Sequence, residues 1–450
     1  MTQQNNSVPI IAPFRGLRYN PCKISNLSRV TAPPYDVISP DGQRQLYERD
    51  PHNIVRLILG YQHPSDTDAD NRYTRAAADL NQWTKEEVLA RDDAPSFYLY
   101  EQHFEVKKIE GPQKYIRRGF LALRRLEKFE DESGRGSVRP HEKTLAGPKA
   151  DRLLLFKSCH ANLSPIFSLY SDREGTVTKV LKPYFDTPAA ADFTDEQSVR
   201  HRLWKVTDRE LFQKANAIIG AKSLFIADGH HRYETAVNYC DWMKERYPDA
   251  PANTSFRYVM MFFSEMSDPG LLILPTHRVL HDWPGFDLVA LEKRLVGWFE
   301  LSRHPRADDK GLIRLLDDGQ KQGRHLFAMG VPGRDTMTVL TLRREKEKEV
   351  SKVDTAILHN VIFDEMLGMS DDDQKDPRYL RFVKDTREAL AASGDKGVNC
   401  VFVTNAPPMP VLEEVVATGK ILPPKTTFFY PKLVTGMVIN QIRPDELVTI

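Results

Sequence analysis

Asp228-Gly229-His230-His231-Arg232 is the stretch whose residue types and order best suit chemistry. It follows the apolar run Leu224-Phe225-Ile226-Ala227, and an apolar helical pattern (Tyr233, Ala236, Val237, Cys240, Met243) begins directly after it. A strand that turns through Asp-Gly into a helix builds an anion site. Glycine lets the backbone turn sharply and approach a ligand. The first helical N–H groups have no partner inside the helix and carry the positive end of its dipole. Arg232 suits bidentate phosphate contacts, and His230 and His231 suit donation to phosphate or metal ligation. Asp228, at the strand end, suits holding a magnesium ion or orienting a histidine. The bland account is a capping Asp228 beside two exposed histidines. It would win for a lone Asp-Gly, but not for this run of five behind an apolar strand.

Two further constellations stand beside it. Arg139-Pro140-His141-Glu142-Lys143-Thr144 is a proline-fixed turn that presents His, Glu and Lys together, suited to a general base beside a phosphate or equally to a plain turn. Pro423-Pro424-Lys425-Thr426-Thr427-Phe428-Phe429-Tyr430-Pro431-Lys432 sets two lysines and two hydroxyls among prolines and aromatics. It reads as a substrate clamp through Lys425, Thr426 and Lys432, or as an edge strand packed on the core. No GxxxxGK[ST] and no GxGxxG occurs, so a nucleotide would be bound by another device. His230 and Glu234, four apart, would share a helix face as zinc ligands do, but no third ligand has a recognisable spacing.

The elements that must position these residues follow from periodicity and punctuation. Strands are expected over 97–105, 118–126, 164–170, 224–227, 258–263 and 398–403. Helices are expected from near Lys149, after Gly229 as far as Pro248, from an Asp354 N-cap to Gly368, and over 411–418 before Gly419. This mixture predicts an α+β (mixed α/β) fold. At 450 residues the chain is long enough for two or three domains, and the prolines at 248–251 mark the cut. Lys plus Arg number 63 against 62 for Asp plus Glu, so there is no basic field for nucleic acid. The four cysteines are scattered, the first residues are polar, and no apolar run approaches a membrane span. A cytoplasmic protein with no membrane partner is the expectation.

Taken in order, Pro33-Pro34-Tyr35-Asp36-Val37-Ile38, His141-Glu142-Lys143-Thr144, Ser164-Pro165-Ile166-Phe167, Asp228 to Tyr233 and Pro424 to Lys432 resemble the family catalogued as domain of unknown function 1015. More distantly, Arg139-Pro140-His141-Glu142 with the later Asp-Gly-His-His-Arg is similar to the free serine kinases of the ParB/sulfiredoxin superfamily. That resemblance implies a ParB/sulfiredoxin-like catalytic region over 8–247, with an N-terminal extension, and a C-terminal α/β domain over 252–450. It also implies phosphoryl transfer between ATP or ADP and a small hydroxyl amino acid, serine or phosphoserine. Gly229, His230, His231 and Arg232 would bind phosphates, Asp228 would hold Mg²⁺, and Asp228, His230 and His231 would join Glu142 in catalysis. Glu142 would act on the serine hydroxyl, with His141, Lys143, Thr144, Lys425, Thr426 and Lys432 near the substrate. Two alternatives remain: a metal-dependent hydrolase or phosphatase, and a non-catalytic ParB-like nucleotide switch.

Overall fold

The computed structural model describes residues 8–108, 111–129, 136–141, 146–419 and 421–450. Alternation organises its centre, because successive side chains of a strand point to opposite faces. Phe97, Leu99, Phe120, Ala122, Ile226, Met261 and Phe263 share one core, and Tyr98, Tyr100, Leu121, Leu123, Phe225, Met260 and Phe262 share another. These residues lie on a nine-stranded mixed sheet. Its order is Val138–Arg139, Leu224–Asp228, Ile166–Tyr170, Tyr258–Glu265, Gly111–Arg125, Phe97–Lys108, Arg200–Val206, Ala191–Thr194, with Ile11–Ala12 pairing onto Gly111–Arg125. The first pair in this order is parallel, as is the pair Ile166–Tyr170 with Tyr258–Glu265.

Both faces are apolar, so both need cover. Helices Arg209–Gly220 and His230–Arg246 bury Leu211, Phe212, Ile219, Tyr233 and Tyr239 against one face. The other is covered by the helix Met409–Ala417 and by a C-terminal segment carrying Phe429, Leu433, Val434, Met437 and Val438. That segment threads back through the first half of the chain. Thr435 bridges Ala32, Ile439 bridges Leu17, and Asn440–Gln441 pairs with Ala161–Asn162.

The cut expected at 248–251 therefore passes through this sheet. The strand Tyr258–Glu265 lies beyond it, yet is buried along its length between Ile166–Tyr170 and Gly111–Arg125. The prolines there punctuate a helix-to-strand connection. A second, antiparallel sheet of six strands follows in the order Phe299–Pro305, Thr336–Leu342, Leu326–Gly330, Val398–Val403, His277–His281, Leu380–Val383. The expected Asp354 cap is corrected. Val353 is the cap of the short helix Asp354–Ile357, which runs on as a π-helix, Leu358–Met366. Asp354 is buried instead, within 2.6 Å of His325 Nδ1. Among the described residues, no helix is long and apolar enough to cross a membrane.

Candidate functional site

The strand Leu224–Asp228 ends where the sequence places it, and Gly229 makes the turn at φ 96°, a region that favours glycine. A Cβ at Gly229 would stand 2.9–3.0 Å from the Arg232 guanidinium, so the turn and Arg232 are fitted to one another. Arg232 is spent inside the protein. It donates to Asp228 Oδ2 and to the Pro165 carbonyl. Asp228 Oδ1 takes the Lys432 ammonium. Burial alone would raise the Asp228 carboxyl, but Lys432 and then Arg232 outweigh it and hold it well below the usual carboxylate range.

Ala227, Asp228 and His230 form one wall of a cavity of about 250 Å³. The same cavity is lined by Lys384, Lys425, Lys432, Thr427, Thr276 and, following Pro33–Pro34, Asp36. The Lys384 and Lys432 ammoniums lie 3.7 and 4.7 Å from the centre of the same Phe428 ring. Partial burial, then Lys432 and Lys425, push Lys384 below the ordinary lysine value. Three lysines thus face two carboxylates, and one of those, Asp228, is already shared with Arg232. Positive charge is in excess, which is the condition of a site built for an anion.

The lysines are held by the elements behind them. Gln102 Nε2 donates to the Lys432 carbonyl at 3.0 Å, and Arg117, itself fully buried, donates to the Pro431 carbonyl at 2.5 Å. Thr276 Oγ1 and Arg278 Nη2 donate to the Lys425 carbonyl at 2.6 and 3.3 Å. Lys384 follows the edge strand Leu380–Val383 and precedes Asp385, the N-cap of helix Thr386–Ala392. The six-stranded sheet thereby supplies one lysine and braces a second.

Several expected site residues sit elsewhere. His141 is fully buried behind the cavity. Its Nδ1–H donates to the Ile226 carbonyl at 2.8 Å, so in the neutral ring Nε2 accepts from Thr427 Oγ1–H, also at 2.8 Å. It clips the C-terminal segment to the strand Leu224–Asp228 and is not among the residues lining the cavity. Thr426 is fully buried, donating to the Pro423 carbonyl at 2.7 Å, and its neighbour Thr427 takes the place on the cavity wall. His230 Nε2 accepts the His141 backbone N–H at 3.3 Å, and Glu234 takes Lys149 at 2.7 Å. The two are therefore not left together as zinc ligands. His231 is partly buried on the first turn of the helix, and burial lowers its pKa ahead of the opposing pull of Glu234 and Asp36. Glu142, Lys143 and Thr144 lie outside the described residues.

A magnesium ion does not fit Asp228 as it stands, since both oxygens already carry cations. Among the described residues, no group of three His, Cys, Asp or Glu side chains could hold a metal. Sequence reasoning missed Lys384 and Asp36 as wall residues. Asp36 was present in the Pro-Pro-Tyr-Asp motif, whereas a lysine ahead of a helix cap carries no sign of its own.

Among solved structures, the chain is similar to a conserved hypothetical protein from Pyrococcus furiosus, with 15% identity over 69% of this chain and 94% of that one and a TM-score of 0.34. A free serine kinase in complex with AMP shares 14% identity over 69% and 90%, TM-score 0.36. C-terminally truncated SbnI from Staphylococcus aureus shares 10% over 68% and 84%, TM-score 0.34. These likenesses are distant. No curated protein matches the chain. The model of one family, described as protein of unknown function DUF1015, matches residues 11–356, and the chain belongs to that family.

Proposed function

We propose that the chain is a phosphotransferase that moves a phosphoryl group between a nucleotide, ATP or ADP, and a small hydroxyl amino acid, with serine as the acceptor. The observation that carries this reading is the cavity where Lys384, Lys425 and Lys432 meet the start of the helix His230–Arg246. Phosphoryl transfer asks mainly for positioning and for neutralisation of charge on the phosphoryl oxygens. The lysines supply the neutralisation, and the helix N-terminus adds backbone N–H groups. Asp228 and Arg232 act one step back: Asp228 holds Lys432 toward the phosphates, and Arg232 ties the turn to Pro165.

Glu142, next to His141 in sequence, is assigned the acceptor hydroxyl, as in the motif it resembles. It takes the hydroxyl proton while the oxygen forms its bond to phosphorus and the bond to the nucleotide oxygen breaks. The ParB/sulfiredoxin-like core of this reading comprises the 8–247 region together with the strand Tyr258–Glu265 and the C-terminal segment that covers one face of its sheet.

The test is an assay of purified protein with Mg²⁺, a panel of nucleoside di- and triphosphates, and serine or phosphoserine. Nucleotide-dependent interconversion is expected, and Glu142→Gln is expected to lower turnover at least a hundredfold while sparing nucleotide binding. Unchanged turnover in that variant removes Glu142 from the mechanism. Phosphate release without any nucleotide would favour a hydrolase, and nucleotide binding without turnover would favour a ParB-like switch.

A further inference from the structure

The lysine cavity abuts another. Val37 and Lys432 line it and also line a second cavity of about 190 Å³ beside the same proline loop. The chemistry changes across that boundary. Ala32, Pro33, Ile38, Leu46 and Val434 give the second cavity apolar walls. Its polar lining includes Gln45, Gln197, Asp195 and Glu196, and among the described residues its one cation besides Lys432 is Arg49, which is paired to Glu196. The two carboxylates, Asp195 and Glu196, disfavour a phosphate there. A flat, partly apolar ring with hydrogen-bonding edges and hydroxyls would match it.

Asp195 is fixed before any ligand arrives. Its Oδ1 accepts the Gln197 and Val199 N–H groups at 2.9 Å each. Its Oδ2 accepts from buried His201 Nε2, also at 2.9 Å, and His201 in turn meets Tyr100. Oδ2 keeps one acceptor position, the kind of fixed carboxylate that reads a ribose hydroxyl. Size points the same way. Ligand pockets run to roughly 300–1,000 Å³; neither cavity reaches that alone, and the two together do.

We infer that the second cavity takes the nucleoside half of a nucleoside di- or triphosphate, whose phosphates run past Lys432 toward Lys384 and Lys425. This rests on the phosphotransferase reading, and the two can fail separately.

The experiment is calorimetric titration of the full chain with ADP and with inorganic tripolyphosphate, in the wild type and in Gln45→Trp and Ile38→Trp. Gln45 is exposed on the helix Pro40–Arg49, so tryptophan there fills the cavity without disturbing the core, should Ile38→Trp fail to fold. ADP affinity is expected to fall at least tenfold in the variants, with tripolyphosphate affinity held within twofold. Unchanged ADP affinity in folded Gln45→Trp overturns the assignment. A wild type that binds tripolyphosphate but not ADP overturns the nucleoside site and leaves the lysine cavity standing. A wild type that binds neither removes both.

Discussion

The turn at 228–232 and the segment at 423–432 meet at one cavity but differ in how they treat charge. In the turn, charge is cancelled locally: Arg232 is held by Asp228 four residues away and by the Pro165 carbonyl. In the segment it is not. Lys425 and Lys432 crowd Lys384, and Lys432 reaches back across 204 residues of sequence to find its carboxylate. The turn therefore gives the site its shape, and the segment with Lys384 gives it its charge. Substitutions on the two sides should then have different signatures, loss of fold on one and loss of anion affinity on the other. The Asp228–Lys432 pair, which joins them, should show both.

That joint carries the largest expected effect. Lys432→Ala leaves a largely buried carboxylate with one cation in place of two; leaving a buried charge with no partner costs about 3–5 kcal/mol, and with Arg232 still in place the loss should lie at or below the lower end of that range. Urea denaturation at pH 7 measures it. The double variant Asp228→Asn with Lys432→Met should recover only part of the loss, because the buried carboxylate is gone but the Arg232 guanidinium loses its carboxylate partner and keeps the Pro165 carbonyl. The pH dependence has a definite sign. Asp228 in the folded chain lies below its unfolded value of about 3.9. The unfolded state therefore binds more protons as the pH drops below about 4, and stability falls with it. The contribution is fully present above that pH, and Lys432→Ala should flatten this acid limb. A cost under about 1 kcal/mol would put the pair among ordinary surface bridges and undo the division of roles.

The same division explains what the sequence made legible. The strand Leu224–Asp228, Gly229 and the helix after it are adjacent in the chain, so pattern and turn chemistry place them within a residue or two. Lys384, Thr427 and Asp36 meet Asp228 only after two sheets and a returning segment have formed. Thr426 and Thr427 are equivalent as a sequence pair and both are buried, and only the direction of the backbone beside Pro423 decides which lines the cavity. His141 reads as a base among Glu and Lys, yet the fold uses it as a clip between the Ile226 carbonyl and Thr427. The prolines at 248–251 look like a linker because nothing local shows that the next strand returns to the first sheet.

Gly229→Ala probes the shape side alone. An L side chain in the left-handed region costs about 1–2 kcal/mol, and here the new Cβ also presses on a guanidinium pinned at both ends. Stability should fall, while the folded variant should keep its tripolyphosphate affinity. In an Arg232→Met background the added cost should shrink toward the backbone part alone, since the crowded group is gone; a double-mutant cycle by denaturation reads that difference. An additive result would mean that the glycine is required by the backbone and not by Arg232.

Lys384→Ala should be the gentlest change to the fold and the cleanest test of the charge side. The residue is exposed, and its ammonium is pushed below the ordinary lysine value by partial burial and by Lys432 and Lys425. Removing it relieves repulsion and breaks no ion pair of its own among those found in the described residues, so stability should stay within about 0.5 kcal/mol of wild type. Affinity for tripolyphosphate should nevertheless fall about tenfold, in line with the roughly 1.5–3 kcal/mol of a hydrogen bond to a charged group, and the loss should shrink in high salt. Full affinity in this variant would mean that the crowded lysines are a surface feature and that the anion is held by the helix N-terminus; the turn would then carry charge as well as shape.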